Sequence, residues 1–135
     1  MKALISVLTL IVGVLAWQLY VARSAHDFDL QEKCGLQAAK TFHESWKELD
    51  PTGTASYQSH HNAKQNKCFM TINAYVFQSK EEVRFLLDAY ERRQYATYSY
   101  SHVTDSLSCR LTPPEEPLPC KTAEDYQVFV AKYMH

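Results

Sequence analysis

The first apolar run is continuous: from Ala3 to Ala22 no residue is charged, and only Ser6, Thr9, Gln18 and Tyr20 interrupt the hydrophobic side chains. A run of that length is long enough to span a bilayer as a helix. After it the pattern becomes one-sided. Leu30, Cys34, Ala38, Phe42, Trp46 and Leu49 recur at intervals of three and four residues, which predicts a helix with one buried stripe. Asp29 and Glu32 have capping-box spacing and set the expected start of that helix at Asp29, while Asp50, Pro51 and Gly53 stop it.

The period then drops to two. "ASYQSHH" and "KCFMTINAYVF" read as strands joined by the polar turn "NAKQN", because asparagine tolerates tight-turn dihedrals and the flanks alternate. In the second strand Cys68, Met70, Ile72, Ala74 and Val76 share one face, and Phe69, Thr71, Asn73, Tyr75 and Phe77 the other. Cys68 therefore points to the side on which the Cys34 helix packs, and this is the physical reason to pair the two cysteines.

"SKEEVRFLLDAYERRQYATYSYSH" supports two readings in its first half. Ser79 to Glu82 has capping-box spacing, and Val83, Leu86, Leu87 and Tyr90 fit a helical stripe; Val83, Phe85, Leu87 and Ala89 also alternate, with "ERRQ" as a turn into the strand-like "YATYSYSH". Local pattern alone favours the helix. At the end of the chain Thr122 and Asp125 mark a helix start, and Tyr126, Phe129, Val130 and Tyr133 form its stripe. Before it, "CRLTPPEEPLPC" is a short proline-bearing loop whose ends lie close, so Cys109 and Cys120 are expected to pair.

At 135 residues the chain is sized for one globular domain. Lys2 and Arg23 are the charged residues of the first 25, so 12 of the 14 basic side chains remain beyond them against all 15 acidic ones, a balance of −3 that disfavours nucleic acid as a partner. The N-terminal run fits a signal peptide, with Lys2 before it and Ala22-Arg23-Ser24 near a small-x-small pattern, but Trp17, Gln18 and Tyr20 suit an interfacial helix end and favour a retained anchor. The organisation expected is residues 1–25 as signal anchor or signal peptide and 26–135 as one exported domain. Its four cysteines would then meet an oxidising compartment, where an even count fits two disulfides.

"SHHNAKQNKCF", "LLDAYERRQYATY" and the ending "CRLTPPEEPLPCKTAEDYQVFVAKYM" resemble a group of small exported bacterial proteins of unknown function, over roughly residues 34 to 134. The resembling proteins carry a glycine turn where this chain has Arg92 and Arg93, which implies a hairpin across residues 83 to 101 and hence a strand rather than a helix there. The resemblance implies no activity and assigns no residue a role.

For chemistry, "SHHNAKQNKCF" is the stretch to weigh. In a strand adjacent side chains face opposite ways, so His60 and His61 cannot both ligate one metal, and Cys68 is tied to Cys34. A hydrogen-bonding turn is the expectation; a metal site at His60 or His61, joined by His43 or His102, is the alternative. "HESWK" at residues 43 to 47 lacks the second histidine of a zinc-protease helix, Lys47 standing in its place, and no serine elbow, phosphate loop or Cys-x-x-Cys pair occurs. The carboxylates Glu81, Glu82, Glu115 and Glu116 read as solvated.

The tyrosines suggest a different role. Tyr98 with Tyr100 on one strand face, and Tyr75 with Phe69 and Phe77 on another, make a candidate binding face for an envelope protein or small ligand, unless the helices cover them and the rings simply pack. The expected fold is α+β: after the N-terminal hydrophobic helix come one helix, an antiparallel sheet of about four strands, a disulfide-closed proline loop and a C-terminal helix. The expected function is a membrane-held, non-enzymatic binding domain outside the cytoplasm with no cofactor; the contrary hypothesis is a small metal-dependent or hydrolytic enzyme using His60 or His61.

Overall fold

The computed structural model describes residues 2–46, 53–112 and 119–135, and of residues 2–9 only the helical backbone. A long helix α1 (Lys2–Ser45) leads into five strands, β1 (Ser56–Asn62), β2 (Lys67–Val76), β3 (Glu81–Asp88), β4 (Gln94–Ser101) and β5 (Ser106–Leu111), and a closing helix α2 (Ala123–Met134). The strands form one antiparallel meander in chain order, and the fold is α+β as expected. Leu49, Asp50, Pro51 and the proline loop from Pro113 to Leu118 lie outside the described residues.

The helix start expected at Asp29 does not exist. α1 crosses that position without a break, because the Asp29 carboxylate accepts from the Lys33 ammonium one turn on, at 2.7 Å, instead of capping a backbone N–H. Between residues 10 and 29 the helix is exposed on all sides, with Leu10, Ile11, Leu15, Trp17 and Leu19 in the open; from Leu30 onward it packs on the sheet. Among the described residues no helix is long and apolar enough to cross a membrane.

Alternation in β2 splits the core in two. On one face Cys68, Met70 and Ile72 meet Cys34 and Ala38 of α1 together with Leu87 and Ala89, flanked by Phe42, Trp46, Tyr57 and Phe85. On the other face Phe69 joins Leu86, Tyr95, Ala96, Tyr98 and Leu111 beneath Tyr126, Phe129 and Tyr133 of α2. The sulfurs of Cys34 and Cys68 are at bonding distance, as are those of Cys109 and Cys120, and in both pairs the Cα atoms are 5.3 Å apart.

Residues 81 to 88 are strand, the reading that the resemblance implied, and not the helix that local pattern alone favours; the Ser79 hydroxyl donates to the Glu81 carboxylate. Cys109 lies within the added strand β5 rather than at the mouth of a loop, so its pairing ties the edge of the sheet to the segment entering α2. α2 begins as expected: Thr122 Oγ1 accepts from the Asp125 N–H, and the Asp125 carboxylate accepts from the Lys121 and Thr122 N–H groups, which hold its pKa below the usual value.

Every hairpin turn contains a residue in left-handed conformation that is not glycine: Asn66, Lys80, Arg92 and Asp105, with φ between 49° and 56°. A side chain there is strained, since Cβ crowds the backbone. At Arg92, as at the others, glycine would relieve that strain.

Candidate functional site

The stretch from Ser59 to Phe69 sits where α1 leaves the sheet, next to the β3–β4 turn, and nearly every residue in it has a structural partner. Gln31 of α1 donates its amide to Ser59 O at 3.3 Å and accepts from the His61 N–H at 2.8 Å. Asn62 is buried; it donates to the carbonyls of Lys132 and Tyr133 in the last turn of α2 and accepts from the Gln65 N–H, so one side chain shapes the hairpin turn and fastens α2. Lys67 pairs with Asp88 at 3.2 Å and Glu91 at 2.9 Å; the bond to Glu91, then those to Asp88, hold its pKa well above the ordinary lysine value. Asp88 in turn accepts from the Tyr90 and Glu91 N–H groups and builds the β3–β4 turn. Phe69 makes edge contacts with Tyr95 and Tyr133 at 5.3 and 4.9 Å.

The two histidines lie on opposite faces, as strand alternation requires. His61 lines a cavity of about 310 Å³ with Leu30, Lys33, Lys67, Asp88 and Glu91, and its Nε2 is 3.4 Å from Asn66 Oδ1. His60 faces a separate groove beside α2. Burial, then the neighbouring His135 and His61, lowers the His60 pKa from its ordinary 6.5. His43 is on the exposed side of α1 against Phe42, and His102 is at the opposite end of the sheet. Among the described residues no group of three or more His, Cys, Asp or Glu is placed to hold a metal ion.

The aromatic candidates are regrouped by the strand register. Phe69 and Tyr75 of β2 share one face with Tyr98 and Tyr100 of β4, because the intervening β3 register brings Arg84 between Asn73 and Tyr98 and Glu82 between Tyr75 and Tyr100. Phe69 and Tyr98 are buried beneath α2, which removes them from any presented surface: they are core, as the packing alternative held. Tyr75 and Tyr100 remain half-buried, Tyr100 at the margin of the core that α2 covers.

There they join Phe77, which the sequence reading placed on the Tyr75 face, and His102, which it did not group with them. Tyr75 meets Phe77 edge-on at 5.0 Å, and His102 bridges Tyr75 and Tyr100 at 5.9 and 4.8 Å. The two turns that carry Phe77 and His102 are joined by a backbone bond from His102 N–H to Lys80 O, 3.0 Å. Phe77 is 57% exposed and Val103, in the same turn region, 68%. Tyr100 donates to Asp105, and this bond raises the tyrosine pKa. The result is an aromatic platform at the end of the sheet farthest from the exit of α1. Its signal in the sequence was the recurrence of Tyr75-x-Phe77 and Tyr100-x-His102, each placing two rings on one side of a strand end.

No protein-family model matches the chain, and no curated protein and no solved structure matches it.

Proposed function

We propose that the chain is a non-enzymatic binding domain of the cell envelope, held at a membrane by the N-terminal half of α1 and meeting a partner through the platform of Tyr75, Phe77, Tyr100 and His102. The observation that carries this is the continuity of α1: its exposed stretch from Leu10 to Ala22, without a charged residue, runs without a break into the part that packs on the sheet, so the domain is joined directly to an apolar helix. An apolar surface on all sides of a helix is stable in lipid and costly in water. The cysteine pairs support a compartment outside the cytoplasm, where such bonds persist. The platform lies at the end of the domain opposite that helix, the position from which a membrane-held domain reaches outward. His60 and His61 face apart, which weighs against an enzyme centred on them.

The test is fractionation of the native host followed by intact mass measurement. The expected result is a protein in the membrane fraction that keeps residues 1–25 and whose thiols are unreactive without reductant. Material free of membranes, or thiols that react at once, would overturn the reading. Photo-crosslinkers placed at Phe77 and His102 are expected to trap a defined partner, whereas one placed at Lys40 on α1 is not.

A further inference from the structure

We infer that the groove between β1 and α2 binds a single-chain acidic amphiphile, its carboxylate held by His60 and its apolar tail laid along Val130, Ala131 and Met134. The groove has a volume of about 610 Å³, within the range of small-molecule sites. Its wall on the α2 side is apolar, and its rim carries the imidazoles of His60 and His135 and the carboxamides of Gln58 and Gln127. Among the described residues no carboxylate side chain lines it, in contrast to the cavity on the other face of the same hairpin, where Asp88 and Glu91 already satisfy Lys67. The carboxamide and imidazole N–H groups of this rim can donate to an anionic or acceptor-rich head.

A second observation points the same way. Tyr126, which lines the groove, is buried, and its hydroxyl has no hydrogen-bond partner among the described residues. An unpaired buried hydroxyl is destabilising, and an acceptor delivered by a ligand removes that defect. Burial disfavours the protonated form of His60, and a carboxylate bound beside it would act in the opposite sense, raising its pKa on binding. His135 on α2 is the titratable group facing His60 in the groove; His61 acts on it from the opposite face of the strand, while Lys132 lies on the other flank of α2 with Glu124 and Asp125. The inference is independent of where α1 resides.

The experiment uses the full chain in nanodiscs of zwitterionic lipid, with isotope-labelled methionine methyl groups. Dodecanoate is expected to shift the Met134 signal in a saturable way and leave Met70, buried on the other face of the sheet, unmoved. Dodecanol and dodecyltrimethylammonium are expected to bind at least about tenfold more weakly, the worth of one charge-assisted hydrogen bond. His60→Gln is expected to weaken dodecanoate by about the same factor. Tyr126→Phe separates a ligand role from a structural one: the free protein should melt at a higher temperature, having lost an orphan hydroxyl, and yet bind dodecanoate less tightly. Equal binding of all three head groups, a Met134 signal that does not move, or unchanged affinity in both variants would overturn the inference. Vesicles of anionic diacyl phospholipid are the competing source of the same chemistry; if they shift Met134 and dodecanoate does not, the single-chain assignment is wrong.

Discussion

The two faces of the sheet are closed by different means. On the α1 face the central contact is made by small and aliphatic side chains, Ala38, Met70 and Ile72, around a cysteine pair that is itself buried. On the α2 face the contact is ring against ring, from Phe69, Tyr95, Tyr98, Tyr126, Phe129 and Tyr133, and the cysteine pair is displaced to the approach to α2, only partly buried. Alanine and cysteine each bury little apolar area, so the α1 face relies on a covalent link at its centre; the aromatic face buries enough area to hold a 12-residue helix with its link at the margin. Adjacent residues of one strand, Cys68 and Phe69, serve these two strategies.

The sharpest way to break the contrast is to empty the aromatic face. Phe69→Ala, at a fully buried position, is expected to lower stability by about 5 kcal/mol, read from the midpoint of urea unfolding. A loss below about 1 kcal/mol would mean that the rings do not hold α2. Next come the cross-links. Replacing both Cys34 and Cys68 by alanine opens a chain separation of 34 residues and is expected to cost about 4 kcal/mol, against about 3 kcal/mol for Cys109 and Cys120 with a separation of 11. Thermal unfolding of the two double variants ranks them, and the reverse order would remove the central role given to the buried pair.

Asn62→Ala tests the polar fastening of α2. It removes the bonds to the Lys132 and Tyr133 carbonyls and is expected to cost about 2 kcal/mol. Hydrogen exchange should quicken in the last turn of α2 while β3 stays protected. The smallest effect has the opposite sign. Lys80→Gly relieves a left-handed residue that makes no ion pair among the described residues, and is expected to raise stability by up to about 1 kcal/mol in the same unfolding assay.

Much of this division is legible in the sequence, and what escapes has physical causes. The alternation of β2 separates Cys68, Met70 and Ile72 from Phe69 and thereby gives the pairing of Cys34 with Cys68, because a strand has a fixed two-residue period. Thr122 and Asp125 mark the start of α2 correctly. Asp29 misleads because an acid followed by Glu32 and Lys33 satisfies both a capping box and an i,i+4 ion pair, and only the unbroken backbone decides between them. β5 is hidden by the prolines that follow it, although Leu107, Cys109 and Leu111 alternate. The grouping of Phe69, Tyr75, Tyr98 and Tyr100 on one face depends on how β3 aligns two non-adjacent strands, a property of register that no local pattern carries.

The groove beside α2 was the least legible feature of all. Its wall comes from a helix that reads as an ordinary amphipathic stripe, and its rim from a histidine whose role could be weighed only once its direction was known. The orphan hydroxyl of Tyr126 has no signature in sequence, since tyrosine in a core position commonly finds a partner.

Gln31 touches more than its modest size implies. By offering Ser59 O a donor and the His61 N–H an acceptor, its carboxamide imitates one peptide unit of a sixth strand and stops the sheet at β1. Copies of this domain at high concentration are thereby denied a template for edge-to-edge zippering at that rung, and the helix that supports the sheet also keeps it from growing.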